Sequence, residues 1–217
     1  MIAEQFADKD FYKSIPLQSL LVICNNPSPA YMISFAGLYC FSNPRTGLFM
    51  YLIILSGNLI VGFMGIIKAK NSKQIVIPVL KVQECSENQD EFGKIMQDTF
   101  STLLLISSCI LITSVFASFI QKLPMPNVLQ AVVAGSLEMT IGMEMIKPLR
   151  ISTRTKMLLA APLISFGGAS IFIQTAGMLT GTNLSIKKYM KEKAMASVIT
   201  LSFMYIILFV FNIKGFN

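Results

Sequence analysis

Long uncharged stretches, each broken by polar residues or glycine, set the pattern of this chain. Between Lys13 and Arg45, and again between Lys156 and Lys187, about thirty residues pass without a formal charge. The first run is interrupted by Asn25-Asn26-Pro27-Ser28-Pro29, the second by Ser165-Phe166-Gly167-Gly168-Ala169-Ser170. A plain spanning helix needs about 20 apolar residues. Thirty with a breaker in the middle are a different object. Paired, interrupted hydrophobic segments in the two halves of a membrane chain point to the solute site of a transporter. Three further runs, 47–67, 99–120 and 194–213, are uncharged. At about 1.5 Å per residue each can cross a hydrocarbon core of about 30 Å.

Composition agrees with lipid as the solvent. Of 217 residues, 53% are hydrophobic and 13% are charged, against about 25% charged in soluble domains. The sequence therefore predicts an all-α polytopic membrane protein, a transmembrane helix bundle with interrupted or re-entrant helices. It reads as a single membrane domain over 1–217, with a polar cytoplasmic loop at 68–98. The first apolar run follows a mixed-charge leader from Glu4 to Lys13, which is not the pattern of a cleavable signal.

The net charge of +7 follows from topology and does not call for nucleic acid. Thirteen of the 18 basic residues lie in three clusters. These are Lys68, Lys70, Lys73, Lys81 and Lys94; Lys147, Arg150, Arg154 and Lys156; and Lys187, Lys188, Lys191 and Lys193. Basic loops stay on the cytoplasmic side, where anionic lipid headgroups are incidental partners. Cys24, Cys40 and Cys109 fall in apolar runs and Cys85 in a polar loop, without metal-ligand spacing; they read as small buried hydrophobes. Histidine is absent, which removes His-based triads and HExxH zinc sites. The expectation is a non-enzyme without metal or cofactor.

With all three basic clusters on one side, 47–67 enters the cytoplasm, 99–120 leaves it and 127–146 returns. A straight crossing at 157–186 would then put Lys187 to Lys193 outside, against the positive-inside bias. A re-entrant hairpin that turns at Gly167-Gly168 removes the conflict, since glycine accepts positive φ. Irregular backbone at membrane depth needs protein or water around it, so the hinge predicts a cavity. Ser165, Ser170, Gln174, Thr175, Thr180, Thr182 and Asn183 would line it. In the first hinge, Pro27 and Pro29 block helical continuation, and Ser28 is placed to N-cap a second half-helix over 30–41. Such an N-terminus suits an anionic solute. Crossing and re-entry both fit this segment.

Two carboxylates stand in 127–146. Glu138 shares a helical face with Ala131, Gly135 and Gly142, a small-residue face that packs closely on another helix. Its carboxyl either contacts solute or coupling ion or serves as a buried structural group. Glu144 is spaced to pair with Lys147. Asn58, mid-span, reads as a helix–helix hydrogen bond.

These residues resemble a known family. The run Leu20-Leu21-Val22-Ile23-Cys24-Asn25-Asn26-Pro27-Ser28-Pro29-Ala30 is similar to the hinge of the YlbJ-type sporulation integral membrane proteins. That family is placed among the nucleoside-recognition (Gate) domain proteins. The resemblance continues through Phe41-Ser42-Asn43-Pro44-Arg45-Thr46-Gly47-Leu48 and Gly135-Ser136-Leu137-Glu138-Met139-Thr140-Ile141-Gly142. It ends in Ser165-Phe166-Gly167-Gly168-Ala169-Ser170-Ile171 with Gln174 and Gly181-Thr182. It covers the C-terminal portion of the family pattern, whose members carry a further N-terminal membrane half.

The resemblance implies a transporter or permease component in a membrane surrounding the forespore, moving a small, dipicolinate-like anion. The partners it implies are lipid, that solute, and a complementary N-terminal half or a second copy of the chain. Asn25, Asn26, Ser28, Ser165, Gly167, Gly168, Ser170 and Gln174 are the expected solute-facing hinge residues, with Glu138 beside them. The rival expectation is a non-transporting assembly subunit of the same membrane.

Overall fold

The computed structural model of the chain describes residues 17–71, 91–180, 182 and 184–211. Among them lie ten helical elements and no strand. The first hinge separates α1 (Leu17–Cys24) from α2 (Tyr31–Cys40), which is wound with π-type bonds. Next come α3 (Pro44–Asn71) and α4 (Glu91–Ile120). The span expected at 127–146 is two elements, α5 (Asn127–Leu137) and α6 (Met139–Ile146). The second hinge separates α7 (Thr153–Phe166) from α8 (Gly168–Met178). The last helix, α9 (Ile186–Tyr205), continues into a short π-wound segment, α10 (Ile206–Val210).

Local chemistry fixes several starts. Asn43 Oδ1 accepts the Arg45 N–H at 2.9 Å with Pro44 between them, an Asn N-cap followed by proline in the first helical position. Ser28 Oγ accepts the Tyr31 N–H at 3.1 Å, the cap expected of it. Ser152 and Ser185 cap α7 and α9 in the same way. The polar loop expected at 68–98 is partly helical, because α3 runs to Asn71 and α4 begins at Glu91; its centre, 72–90, lies outside the described residues. Cys85 lies there too. Cys40 and Cys109 are buried as expected, whereas Cys24 is exposed.

The packing register gives the direction of each pass. Beside α3, Ser19 stands at Gly65, Ile23 at Gly62, Asn26 at Asn58 and Gly37 at Gly47. As numbers rise on one strand of the pair they fall on the other. The first interrupted segment is therefore one broken pass, antiparallel to α3 along its whole length. Helix α9 is also antiparallel to α3, with Glu192 near Gly65 and Thr200 against Gly57.

The second interrupted segment does not turn back at its glycines. Helix α7 shares a core with α2, the first half of α3 and the Met204–Leu208 end of the last helix. Helix α8 instead shares a second core with α1, the later half of α3 and Tyr189 near the start of α9. Thus α7 and α8 form a broken pass running against α9, correcting the re-entrant hairpin expected at 157–186.

The reversal lies in 127–146. Asn127 and Gln130, at the start of α5, line one groove with Met145, Pro148, Leu149 and Arg150, at the end of α6. Gly142 of α6 faces Ala131 and Gly135 of α5. The two helices are the arms of a hairpin with Glu138 at its tip. Both of its ends lie where α2 ends, since the Lys147 ammonium stands 3.5 Å from the Tyr39 ring centroid. Lys147 meets this ring in place of the expected Glu144. The cluster 147–156 therefore lies at the opposite end of the bundle from 68–71 and 186–193. The premise that all three basic clusters share one side is wrong, because a hairpin in the middle of the chain shifts the parity of every later loop.

Among the described residues four stretches, Pro44–Ala69, Phe92–Ile120, Thr153–Met178 and Ile186–Val210, are long and apolar enough to cross a membrane. Of these, the α4 stretch is the least covered, with 17% of its most apolar window buried. Its inward stripe is Cys109, Thr113 and Ala117, spaced by four.

Candidate functional site

The two apolar cores are separated by a seam of buried polar groups, and the helix breaks fall at that seam. Along α3, Asn58 comes between Ile54 of one core and Val61 of the other. Along α7 and α8, Ser165 and the two glycines come between Ile164 and Phe172. Along the first pass, Asn25 and Asn26 come between Val22 and Met32. A layer of amides and hydroxyls at this depth would be costly unless each found a partner.

Most of them do. Asn25 Nδ2 donates to Tyr189 Oη at 2.7 Å and to Thr175 Oγ1 at 3.1 Å. Asn58 Nδ2 donates to Asn26 Oδ1 at 2.7 Å, and Asn26 Nδ2 to the Ile23 carbonyl at 2.6 Å. Lys193 Nζ donates to the Asn25 carbonyl at 2.9 Å and to Asn58 Oδ1 at 3.2 Å. Thr200 Oγ1 donates to Ser165 Oγ at 3.2 Å and also lies against Gly57. Asn25, Asn26, Asn58, Thr175, Tyr189 and Lys193 thus form one hydrogen-bonded network joining hinge one, α3, α8 and α9. The Ser165–Thr200 pair at hinge two is a separate bond beside Gly57 of α3.

Lys193 is its unusual member. The side chain is 2% exposed, and the oxygen atoms that it meets belong to neutral amides. Taking an ammonium out of water costs several kcal/mol unless partners repay it. Part of the repayment is the carbonyl end of α1: Asn25 N–H closes the last turn onto the Leu21 carbonyl, and a helix C-terminus carries partial negative charge.

The second hinge and the hairpin tip meet. Gly167 has φ +87° and Gly168 φ +80°, a left-handed pair that only glycine adopts freely. A Cβ on Gly168 would lie 3.1–3.2 Å from the carbonyl oxygens of Gly135, Ser136 and Leu137. The start of α8 therefore stands on the last carbonyls of α5. Glu138 next to them is extended, with φ −141° and ψ 112°, and is 3% exposed. Its Oε1 accepts Thr140 N–H at 3.1 Å and Thr140 Oγ1–H at 2.7 Å, capping α6.

Among the expected site residues, Asn25 and Asn26 join the connected network, Ser165 pairs separately with Thr200, and Gly167, Gly168 and Glu138 lie at the second hinge and the hairpin tip. Ser170 and Gln174 pair with each other at 3.0 Å. Ser28 caps α2 and is exposed. Thr180 and Thr182 belong to the turn between α8 and α9, away from the seam, and Gly181 and Asn183 lie outside the described residues. Lys193, Tyr189 and Thr200 were not among the expected residues. The available signal was helical spacing: Tyr189, Lys193, Ala196, Thr200 and Met204 fall on one buried stripe, which appears once the last span is extended past its charges. Among the described residues no cluster of His, Cys, Asp or Glu could hold a metal.

Long apolar helices, broken passes and a buried polar seam define an all-α polytopic membrane protein with interrupted helices. By whole-chain comparison it is similar to the sporulation integral membrane protein YlbJ of Bacillus subtilis (strain 168). The two are 20% identical over 219 aligned residues, which take in 85% of this chain and 54% of that protein. The chain thus spans about half the length of the curated relative that it matches, and the match agrees with the motif resemblance. No family profile matches the chain, and no solved structure matches it.

Proposed function

We propose that this chain is the C-terminal portion of a Gate-type transporter or permease that moves a small, dipicolinate-like anion across a membrane around the developing forespore. In this reading the α5–α6 hairpin is re-entrant, dipping from one face to the seam and returning. The observation that carries the proposal is the meeting of three helix interruptions, at 25–28, 138 and 167–168, with a connected layer of buried polar groups. Such breaks expose backbone donors and acceptors that a solute can use, and two half-bundles can rock about them. The reading assigns no catalysis to the chain.

A second reading, a membrane assembly subunit, draws on α4, whose long apolar surface is little covered and could receive a complementary half. The test is uptake of radiolabelled dipicolinate into proteoliposomes containing the chain alone or with a candidate N-terminal half. Glu138→Gln is the control, because the amide oxygen still caps α6 while the ionisable group is removed. Saturable uptake supports the transport reading. Absence of uptake from folded protein in both preparations moves the weight to the assembly subunit.

A further inference from the structure

Lys193 has the surroundings of a bound cation and not those of an ion pair. Its ammonium meets the Asn25 carbonyl at 2.9 Å and Asn58 Oδ1 at 3.2 Å, in a site where the side chain is 2% exposed. Asn25 ends the half-helix α1, and its carbonyl stands at the negative end of that helix. Broken helices in secondary transporters use such carbonyls to hold a coupling cation. Here the positive charge arrives on a covalent stem from α9, so that α1, α3 and α9 are fastened by one group.

We propose that the Lys193 ammonium is a built-in cation filling an oxygen-lined site at the first break, and that the proton it carries is the ion coupled to solute movement. The proposal rests on the transport reading above and names its coupling ion. In the proton step a Nζ–H bond breaks, its electron pair stays on nitrogen, and the proton passes to a water molecule on the side to which the break is open. The neutral amine has lost its charge attraction to the carbonyl end of α1, which frees α9 to move relative to α1 and α3. Protonation from the other side restores the fastening.

The groups around Lys193 suit this assignment. Tyr189 lies one turn earlier on α9 and bonds Asn25. Glu192 points toward Gly65 beside Ser19 and stands 4.0 Å from Lys188. The groups offered from α1 and α3 are Asn25 and Asn58, with Asn26 bonded to Asn58; from α8 Thr175 bonds Asn25, and from α7 Ser165 bonds Thr200, all of them neutral. No metal is needed to balance the carbonyls while the lysine is charged.

The first test uses proteoliposomes with the 217-residue chain, alone and together with a candidate N-terminal half, dipicolinate as probe, and an imposed pH gradient in sodium-free buffer. Gradient-driven accumulation that is unchanged by added NaCl, and at least tenfold lower in Lys193→Met, is the expected result. Sodium-dependent uptake by the unaltered chain, or full gradient drive in Lys193→Met, overturns the proposal. No uptake from folded protein in either preparation contradicts the transport reading, and the cation site is then judged by a second measurement. In detergent, NaCl or ethylammonium chloride should raise the melting temperature of Lys193→Ala by about 3 °C over choline chloride, and leave the unaltered chain unmoved. Equal melting in all three salts overturns the cation site itself.

Discussion

Gly135 and Gly142 touch across the α5–α6 hairpin so closely that a Cβ on Gly142 would overlap the Gly135 Cα. The two glycines stand seven residues apart, which a straight helix would separate by about 10 Å. Their contact exists only because the chain reverses at Glu138.

Gly142→Ala should therefore open the hairpin. Backbone, not a flexible side-chain end, meets the new methyl, and the expected loss is at least about 3 kcal/mol. Gly93→Ala is the matched control, since a Cβ there meets nothing within 4 Å. In the helix α4 it should stabilise by about 0.5–1 kcal/mol. Melting curves in one detergent give both signs; a mild effect at Gly142 would contradict the hairpin contact.

The second hinge can be probed through its backbone. Gly168→Ala puts a side chain at φ +80° and 3.1–3.2 Å from three carbonyl oxygens, and should cost about 2 kcal/mol or more. Gly167→Ala carries a similar φ of +87° but meets mainly the Ile171 side chain, which can shift. It should cost about 1 kcal/mol. Equal stability of the two variants, measured by thermal unfolding, would contradict the stacking of α8 on the end of α5.

Asn58 joins two amides and an ammonium. Asn58→Leu leaves Asn26 Oδ1 without its donor and Lys193 with a single acceptor, at an expected cost of about 3 kcal/mol. Asn58→Asp keeps an acceptor for Lys193 and adds an opposite charge, and should lose less than half as much. Thermal denaturation ranks the pair; a neutral Asn58→Leu would contradict the dependence of Asn26 and Lys193 on Asn58.

What the sequence reveals and what it hides follow from the same physics. Spans announce themselves as uncharged runs, so α3, α4 and most of α9 were legible. Breaks made by proline or adjacent glycines were legible as well, because Pro27, Pro29, Gly167 and Gly168 change backbone preferences locally. The break at Glu138 has neither proline nor glycine at the turn itself, between Leu137 and Met139. Its signal is a carboxylate capping Thr140, which looks like any buried acid until the reversal is seen. Ala131, Gly135 and Gly142 have the spacing of one face of one helix, whereas they are the inner sides of two arms. The direction of each pass was not legible, since charge bias fixes sides only when the number of crossings is known. Lys193 is hidden in a basic loop for the same reason: its three basic neighbours lie outside the seam, and only packing tells it apart from them.

The most direct test of this architecture is the sidedness of its loops. Single cysteines at Ser42, Met125, Ser152 and Ser185, in a background without the four native cysteines, would be labelled in sealed, oriented vesicles with a membrane-impermeant maleimide. The structure predicts that Ser42→Cys, Met125→Cys and Ser152→Cys react from one side and Ser185→Cys from the other. Labelling of Ser152→Cys from the side opposite to Met125→Cys would mean that 127–146 crosses, and the hairpin and its meeting with the second hinge would be contradicted.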